Sequence, residues 1–205
     1  MGRKFPSIHG RNYVNILLCG APRCGITSLI QSIMSHYGER HVLIHRERND
    51  VYMVCEVEFY HNCFFYCLRI CDLSRNTILP PANRNMECFN YDIDVVLYCY
   101  SICKRRSLDY LVNLIDERKD VDSLPSVLVG NKLDLRNRWE IVQRSNEDRA
   151  SFVSHQEAMV SAEELAISWV VECSAETGQS VREVLEAAVY SFCGRKGKRK
   201  WIEHW

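Results

Sequence analysis

Four short runs in this 205-residue chain are apolar with at most one polar interruption each: Tyr13–Cys19, Ile93–Tyr100, Ser126–Val129 and Trp169–Cys173. A run this short and apolar reads as a buried strand. Helical spacing fills the gaps between them, at Thr27–Tyr37 (Leu29, Ile30, Ile33, Met34), Arg106–Arg118, Gln156–Ile167 and Val181–Phe192. Strands alternating with helices predict an α/β open sheet with helices on both faces. Val51–Tyr60 and Cys63–Asp72 are β-rich and joined by His61-Asn62, so they predict a hairpin. The expected sheet is mostly parallel and six-stranded, with one antiparallel hairpin strand. Ser74–Asn90 has no period and holds Pro80-Pro81, which predicts a loop. Ligands of such sheets sit at the carboxyl ends of the strands.

The length suits one domain with short tails. Formal net charge is zero, so nothing draws the whole molecule to nucleic acid, and no nucleic-acid partner is expected. No apolar stretch has the length of a membrane span and no charged-then-apolar leader opens the chain, so a cytoplasmic protein is expected. Its eleven cysteines should then stay reduced. Cys19, Cys55, Cys67, Cys71, Cys99 and Cys173 fall within apolar runs and read as small buried hydrophobes. His61, Cys63, Cys67 and Cys71 suggest a metal site only weakly, because paired Cys-x-x-Cys spacing is missing.

Three motifs follow the buried strands. Gly20-Ala21-Pro22-Arg23-Cys24-Gly25-Ile26-Thr27 matches the phosphate-binding G-x-x-x-x-G-K-[ST] loop at Gly20, Gly25 and Thr27. Its alternative reading is a plain strand-to-helix turn. Asn131-Lys132-Leu133-Asp134 follows the third run, and Cys173-Ser174-Ala175-Glu176 the fourth. Taken singly, the former also reads as a polar turn and Ser174 as a helix cap.

Together these segments resemble the small GTPase superfamily over about Tyr13 to Phe192. The likeness is strongest to its Rho branch, through Leu128–Asn137 and the final helix from Val181. The resemblance implies a P-loop G-domain over residues 13–193, between a basic arm (1–12) and a basic tail (194–205). Residues 136–152 occupy the place of the helical insert of Rho proteins; an ordinary solvated loop is the alternative. The resemblance also implies GTP or GDP with Mg²⁺ as cofactors. Asp134 would select guanine through N1 and the 2-amino group. Asn131 and the Ala175 N–H would meet O6, beside Ser174, and the Lys132 stem would cover the base. Gly20, Gly25 and Thr27 would hold phosphate, and Thr27 and Asp72 would serve Mg²⁺. Effectors or regulators would use 41–51 and 74–90.

Departures cluster on the phosphate side. Ile26 stands at the lysine position, and Pro22 removes one loop N–H. Arg75 replaces the glycine that follows Asp72 in the family motif, and Asn76 replaces the water-orienting glutamine. No threonine lies between Thr27 and Thr77. Nucleotide binding is therefore expected to be weakened, and GTP hydrolysis very slow or lost. Arg23 and Arg75 are either partial charge replacements or solvated surface arginines. Two functions remain open: a nucleotide-dependent signalling switch or its derivative, and a pseudo-GTPase scaffold.

Arg195, Lys196, Lys198, Arg199 and Lys200 give the tail its charge. A Cys-a-a-X box is missing, so no prenyl anchor is expected. The basic run 195–200 reads either as weak contact with the anionic inner membrane surface or as a nuclear-import signal. Cys193 reads as a palmitoylation site or simply as the end of the last helix.

Overall fold

The computed structural model describes residues 12–38, 41–47, 50–72, 85–86, 91–116, 124–142 and 152–196. The strands are β1 (Asn12–Gly20), β2 (His41–Glu47), β3 (Asp50–His61), β4 (Phe64–Asp72), β5 (Asn85–Met86), β6 (Tyr91–Asp92), β7 (Val95–Ser101), β8 (Ser126–Asn131) and β9 (Trp169–Glu172). The helices are α1 (Ile26–Tyr37), α2 (Arg105–Asp116), α3 (Leu133–Val142), α4 (His155–Glu164) and α5 (Val181–Lys196). Among the described residues, seven strands form the main sheet in the order β2-β3-β4-β1-β7-β8-β9, and β5 pairs with β6 in a separate two-stranded sheet. From β4 to β9 the neighbours are parallel; β2, β3 and β4 pair antiparallel.

Period-two alternation divides each central strand between two cores. Val14, Ile16 and Leu18 of β1, with Leu97 and Cys99 of β7, face α1 and α5. Leu17 and Cys19, with Val96, Tyr98 and Tyr100, face α2 and α4. Helix α1 answers with Ile26, Leu29, Ile30 and Ile33, spaced three and four apart and all buried. Each such aliphatic side chain contributes roughly 2 kcal/mol on burial. Helix α4 starts on a capping box: Ser154 Oγ accepts from the Glu157 N–H at 3.2 Å, and Glu157 accepts the Ser154 N–H at 2.8 Å.

The α/β class and the mostly parallel sheet stand as expected, with a seventh strand added. Residues 41–47, for which the sequence predicts no strand, run along the outer edge of β3. The hairpin turn also shifts by one residue. Asn62 (φ 47°) and Cys63 (φ 65°) take the two positive-φ positions of a tight two-residue turn, leaving His61 in β3. Cys63 is therefore an exposed turn residue while Cys67 and Cys71 are buried, and among the described residues no three His, Cys, Asp or Glu side chains are grouped as a metal site. The segment 136–152 opens inside α3, and residues 143–151 lie outside the described residues. Most of 74–90 lies outside them too, apart from β5.

Candidate functional site

The loop between β1 and α1 sits where β1 meets β7. A Cβ on Gly20 would lie 2.3 Å from the Cys99 carbonyl oxygen, so only glycine permits this approach. The Ala21 N–H donates to Cys99 O and the Cys24 N–H to Ala21 O, both at 3.1 Å. Arg23 (φ 63°) and Gly25 (φ 99°) bend the chain into the helix. The Ile26 N–H faces the Cys24 sulfur as a donor; among the described residues, the N–H groups of Gly25 and Thr27 make no backbone–backbone hydrogen bond. They are the unpaired donors of a helix start, where an anion is favoured. Thr27 is exposed on this first turn, whereas Ile26 is only 3% exposed and packs into the core shared by α1 and α5.

Beside this loop, Asn131 ties three segments together. Its Nδ2 donates to the carbonyls of Cys24 and Gly25, each at 3.2 Å. Its Oδ1 accepts the N–H groups of Lys132 at 2.7 Å and Ala175 at 3.1 Å. Lys132, itself at φ 71°, donates from Nζ to Arg23 O at 2.8 Å. Asp134 opens α3 and is 8% exposed; its Oδ1 accepts the Ser174 hydroxyl at 2.7 Å. Ser174 Oγ also accepts the Thr177 N–H at 3.2 Å, so it caps a turn and orients Asp134 at once. The structure thus gathers Arg23, Gly25, Asn131, Lys132, Asp134, Ser174 and Ala175 into one network. One detail differs from expectation: the Ala175 N–H, assigned to a base, here donates to Asn131.

Asp72 ends β4, buried, level with Leu18 of β1. Burial pushes the Cys24 thiol up to about 11, and the Asp72 charge adds a little in the same direction. Burial likewise raises Cys173 to about 12 and Cys99 well above its usual value. These thiols beneath the loop are therefore unreactive. Arg75 and Asn76 lie outside the described residues, as do the side chains of 195–200.

Two supports were not visible from sequence. Arg136 on α3 grips Glu172 at the end of β9, with Nη1–Oε1 at 2.7 Å and Nη2–Oε2 at 2.5 Å. This planar pairing fixes the Asn131–Asp134 and Ser174–Ala175 segments relative to each other. The Tyr100 ring covers Gly130, where a Cβ would lie 2.6 Å from the hydroxyl oxygen. Neither residue type stands out in a sequence, because the contacts join distant segments.

A sequence model of the Ras family matches residues 84–193, just over half of the chain. The chain belongs to the Ras family. Within it the likeness is to Rho proteins. GTP-binding protein RHO1 of Eremothecium gossypii is 37% identical over 112 residues, covering 53% of this chain and 54% of the relative. Rho1 of Kluyveromyces lactis is 38% identical over the same length and shares. RHO1 of Saccharomyces cerevisiae is 34% identical over 109 residues, 52% of each chain. The chain spans about half the length of these relatives. For this Ras-family chain, the matched stretch holds Asn131, Asp134 and Ser174 and leaves out Gly20–Thr27 and Asp72.

The family implies guanine nucleotide and Mg²⁺. The base side fits: a buried carboxylate is oriented by Ser174 and flanked by the Asn131 network. The unpaired helix-start donors fit a phosphate. The Mg²⁺ side fits in part, with the Thr27 hydroxyl and Asp72 present and no threonine between Thr27 and Thr77 to add a further ligand.

Proposed function

We propose that this chain is a Rho-like guanine-nucleotide-binding protein, a signalling switch or a derivative of one, with weakened phosphate contacts and very slow or absent GTP hydrolysis. The orientation of Asp134 by Ser174 carries the reading. A carboxylate held this way accepts from the two donors that guanine presents and adenine lacks. Asn131, Lys132 and Ala175 complete the base side; Gly20, Arg23, Gly25 and Thr27 would hold phosphate, and Thr27 and Asp72 Mg²⁺. When bound, GTP supplies the γ-phosphoryl group whose loss distinguishes two states of a switch. Effector or regulatory proteins would meet 41–51, much of it edge strand, and 74–90. The tail 195–200 would add weak, salt-sensitive contact with an anionic membrane from a cytoplasmic location.

Competition decides it. Unlabelled GDP should displace a fluorescent guanine nucleotide, and ATP should fail at about 10⁴-fold higher concentration. Equal competition by ATP would refute the role of Asp134.

The burial of Ile26 favours a second reading, a pseudo-GTPase that serves as a protein-interaction scaffold. Denaturing the purified protein and chromatographing what is released separates the two. Guanine nucleotide in near-stoichiometric amount supports the switch, and none at all supports the scaffold.

A further inference from the structure

The most exposed large apolar side chains of the described residues gather at one point of the fold. Tyr60, Phe64 and Phe65 are 52%, 58% and 57% exposed at the closed end of the β3–β4 hairpin. The Tyr60 and Phe65 rings touch, with centroids 4.8 Å apart. The two-residue Asn62-Cys63 turn holds them on a stiff projection. This tip lies beyond the sheet's amino end, since Asn12, the first residue of β1, pairs with Tyr66. The candidate nucleotide site lies at the opposite, carboxyl end.

Both ends of the domain emerge beside the tip. The segment before Asn12 carries Arg3, Lys4 and Arg11. The last turns of α5 pack on the hairpin's base: Tyr190 meets His61 edge-on at 4.9 Å, and Cys193 Sγ lies 3.7 Å from the Tyr66 hydroxyl. From there the sequence continues through Arg195, Lys196, Lys198, Arg199, Lys200 and Trp201. Aromatic rings beside the points where two basic stretches of sequence join the described fold are the combination that an anionic bilayer receives: rings enter the interface, and cations stay with the headgroups.

We propose that the β3–β4 hairpin tip is a membrane-docking element. Tyr60, Phe64 and Phe65 would insert into the interface of an anionic bilayer while the basic residues of the two terminal sequences would hold the headgroups, and the nucleotide site would face the cytoplasm. This rests on the membrane reading of 195–200 and adds an apolar, salt-resistant component to it.

The test is co-sedimentation of the full chain with vesicles of phosphatidylcholine containing about a third phosphatidylserine, at low and high salt. Three proteins are compared: wild type, Phe64→Ser/Phe65→Ser, and a tail variant with the five basic residues of 195–200 changed to glutamine. The serine side chains replace exposed rings, so folding should persist, and circular dichroism checks it. Wild type should bind and keep part of its binding at high salt. The tip variant should bind about tenfold more weakly and lose what remains as salt rises. The tail variant should bind weakly at every salt concentration. A tip variant that binds as wild type does at both salts would overturn the docking role and leave the tail reading intact. Wild type that ignores these vesicles would overturn both. A wild-type dimer that the tip substitutions dissociate would show that a second copy covers the rings, which also overturns the proposal.

Discussion

Gly25 has almost no room to change. Its backbone sits at φ 99°, and a Cβ there would come within 2.7 Å of Asn131 Nδ2. Gly25→Ala should therefore strain the turn by at least about 1 kcal/mol. It should also push Asn131 off both loop carbonyls. Urea unfolding and nucleotide titration should record both losses, the second at tenfold or more. Ile26 makes a different demand. A lysine there would place a charge-assisted donor near phosphate, worth about 1.5–3 kcal/mol. The isoleucine it replaces is buried against α5, so Ile26→Lys should tighten guanine nucleotide while lowering the melting temperature of the ligand-free protein. Unchanged affinity would mean that the loop is not built around phosphate. The thiols set an alkaline limit. Cys24 at about 11 and Cys173 at about 12 are both raised by burial above the ordinary 9.0. Folding keeps them protonated, so their contribution is complete below pH 9 and is lost as pH rises through those values. Urea midpoints should hold from pH 7 to 9 and fall beyond, less steeply in Cys24→Ala.

Among the elements, the join between α3 and β9 carries the base side of the site. Arg136 and Glu172 are 17% and 11% exposed, so Arg136→Ala strands a mostly buried carboxylate. The expected cost is about 3 kcal/mol of stability. Nucleotide affinity should fall with it, because the Asn131–Asp134 and Ser174–Ala175 segments lose their brace. Retained affinity at unchanged stability would remove Arg136 from the site's support. What the sequence disclosed divides along physical lines. Strands β1, β7, β8 and β9 were legible because helices cover both of their faces, which leaves near-continuous apolar runs. Strand β2 was not, since its apolar centre is only Val42-Leu43-Ile44 and its pairing follows from adjacency to β3. The hairpin turn was misplaced by one residue because none of His61, Asn62 and Cys63 is a glycine that would mark positive φ. Asn131, Asp134 and Ser174 could be picked out by their position after buried strands. The Arg136–Glu172 pair joins residues 36 apart of types common on any surface, so no local pattern announces it. Ile26 showed a lost cation in sequence; only the fold shows its side chain turned into the core.

At the scale of the whole molecule, the carboxyl end of the sheet holds the nucleotide candidates and the amino end holds the start of β1, the last turns of α5 and the aromatic hairpin tip. The carboxyl end is itself uneven. Its base side lies within the stretch that matches the Ras family, and its phosphate loop lies outside it. That unevenness motivates the final prediction, that intrinsic GTP hydrolysis is undetectable or far below that of an ordinary relative. Ile26 cannot neutralise charge on the β- and γ-phosphates. Asn76 is one methylene shorter than the glutamine that orients water, and no threonine between Thr27 and Thr77 is present to complete a Mg²⁺ shell. These groups act on one transition state, so their losses need not add. Removing even one charge-stabilising donor from such a site commonly costs about 10²-fold in rate. Arg75, next to Asn76 in sequence, is the candidate tested for compensation at this step, since an arginine supplied in cis can stabilise developing γ-phosphate charge. A single-turnover assay with GTP on wild type and Arg75→Ala distinguishes the cases. No phosphate release from either protein is the expected result. Hydrolysis at ordinary rates in wild type would refute the prediction, and its disappearance in Arg75→Ala would identify that arginine as the substitute for the lost lysine.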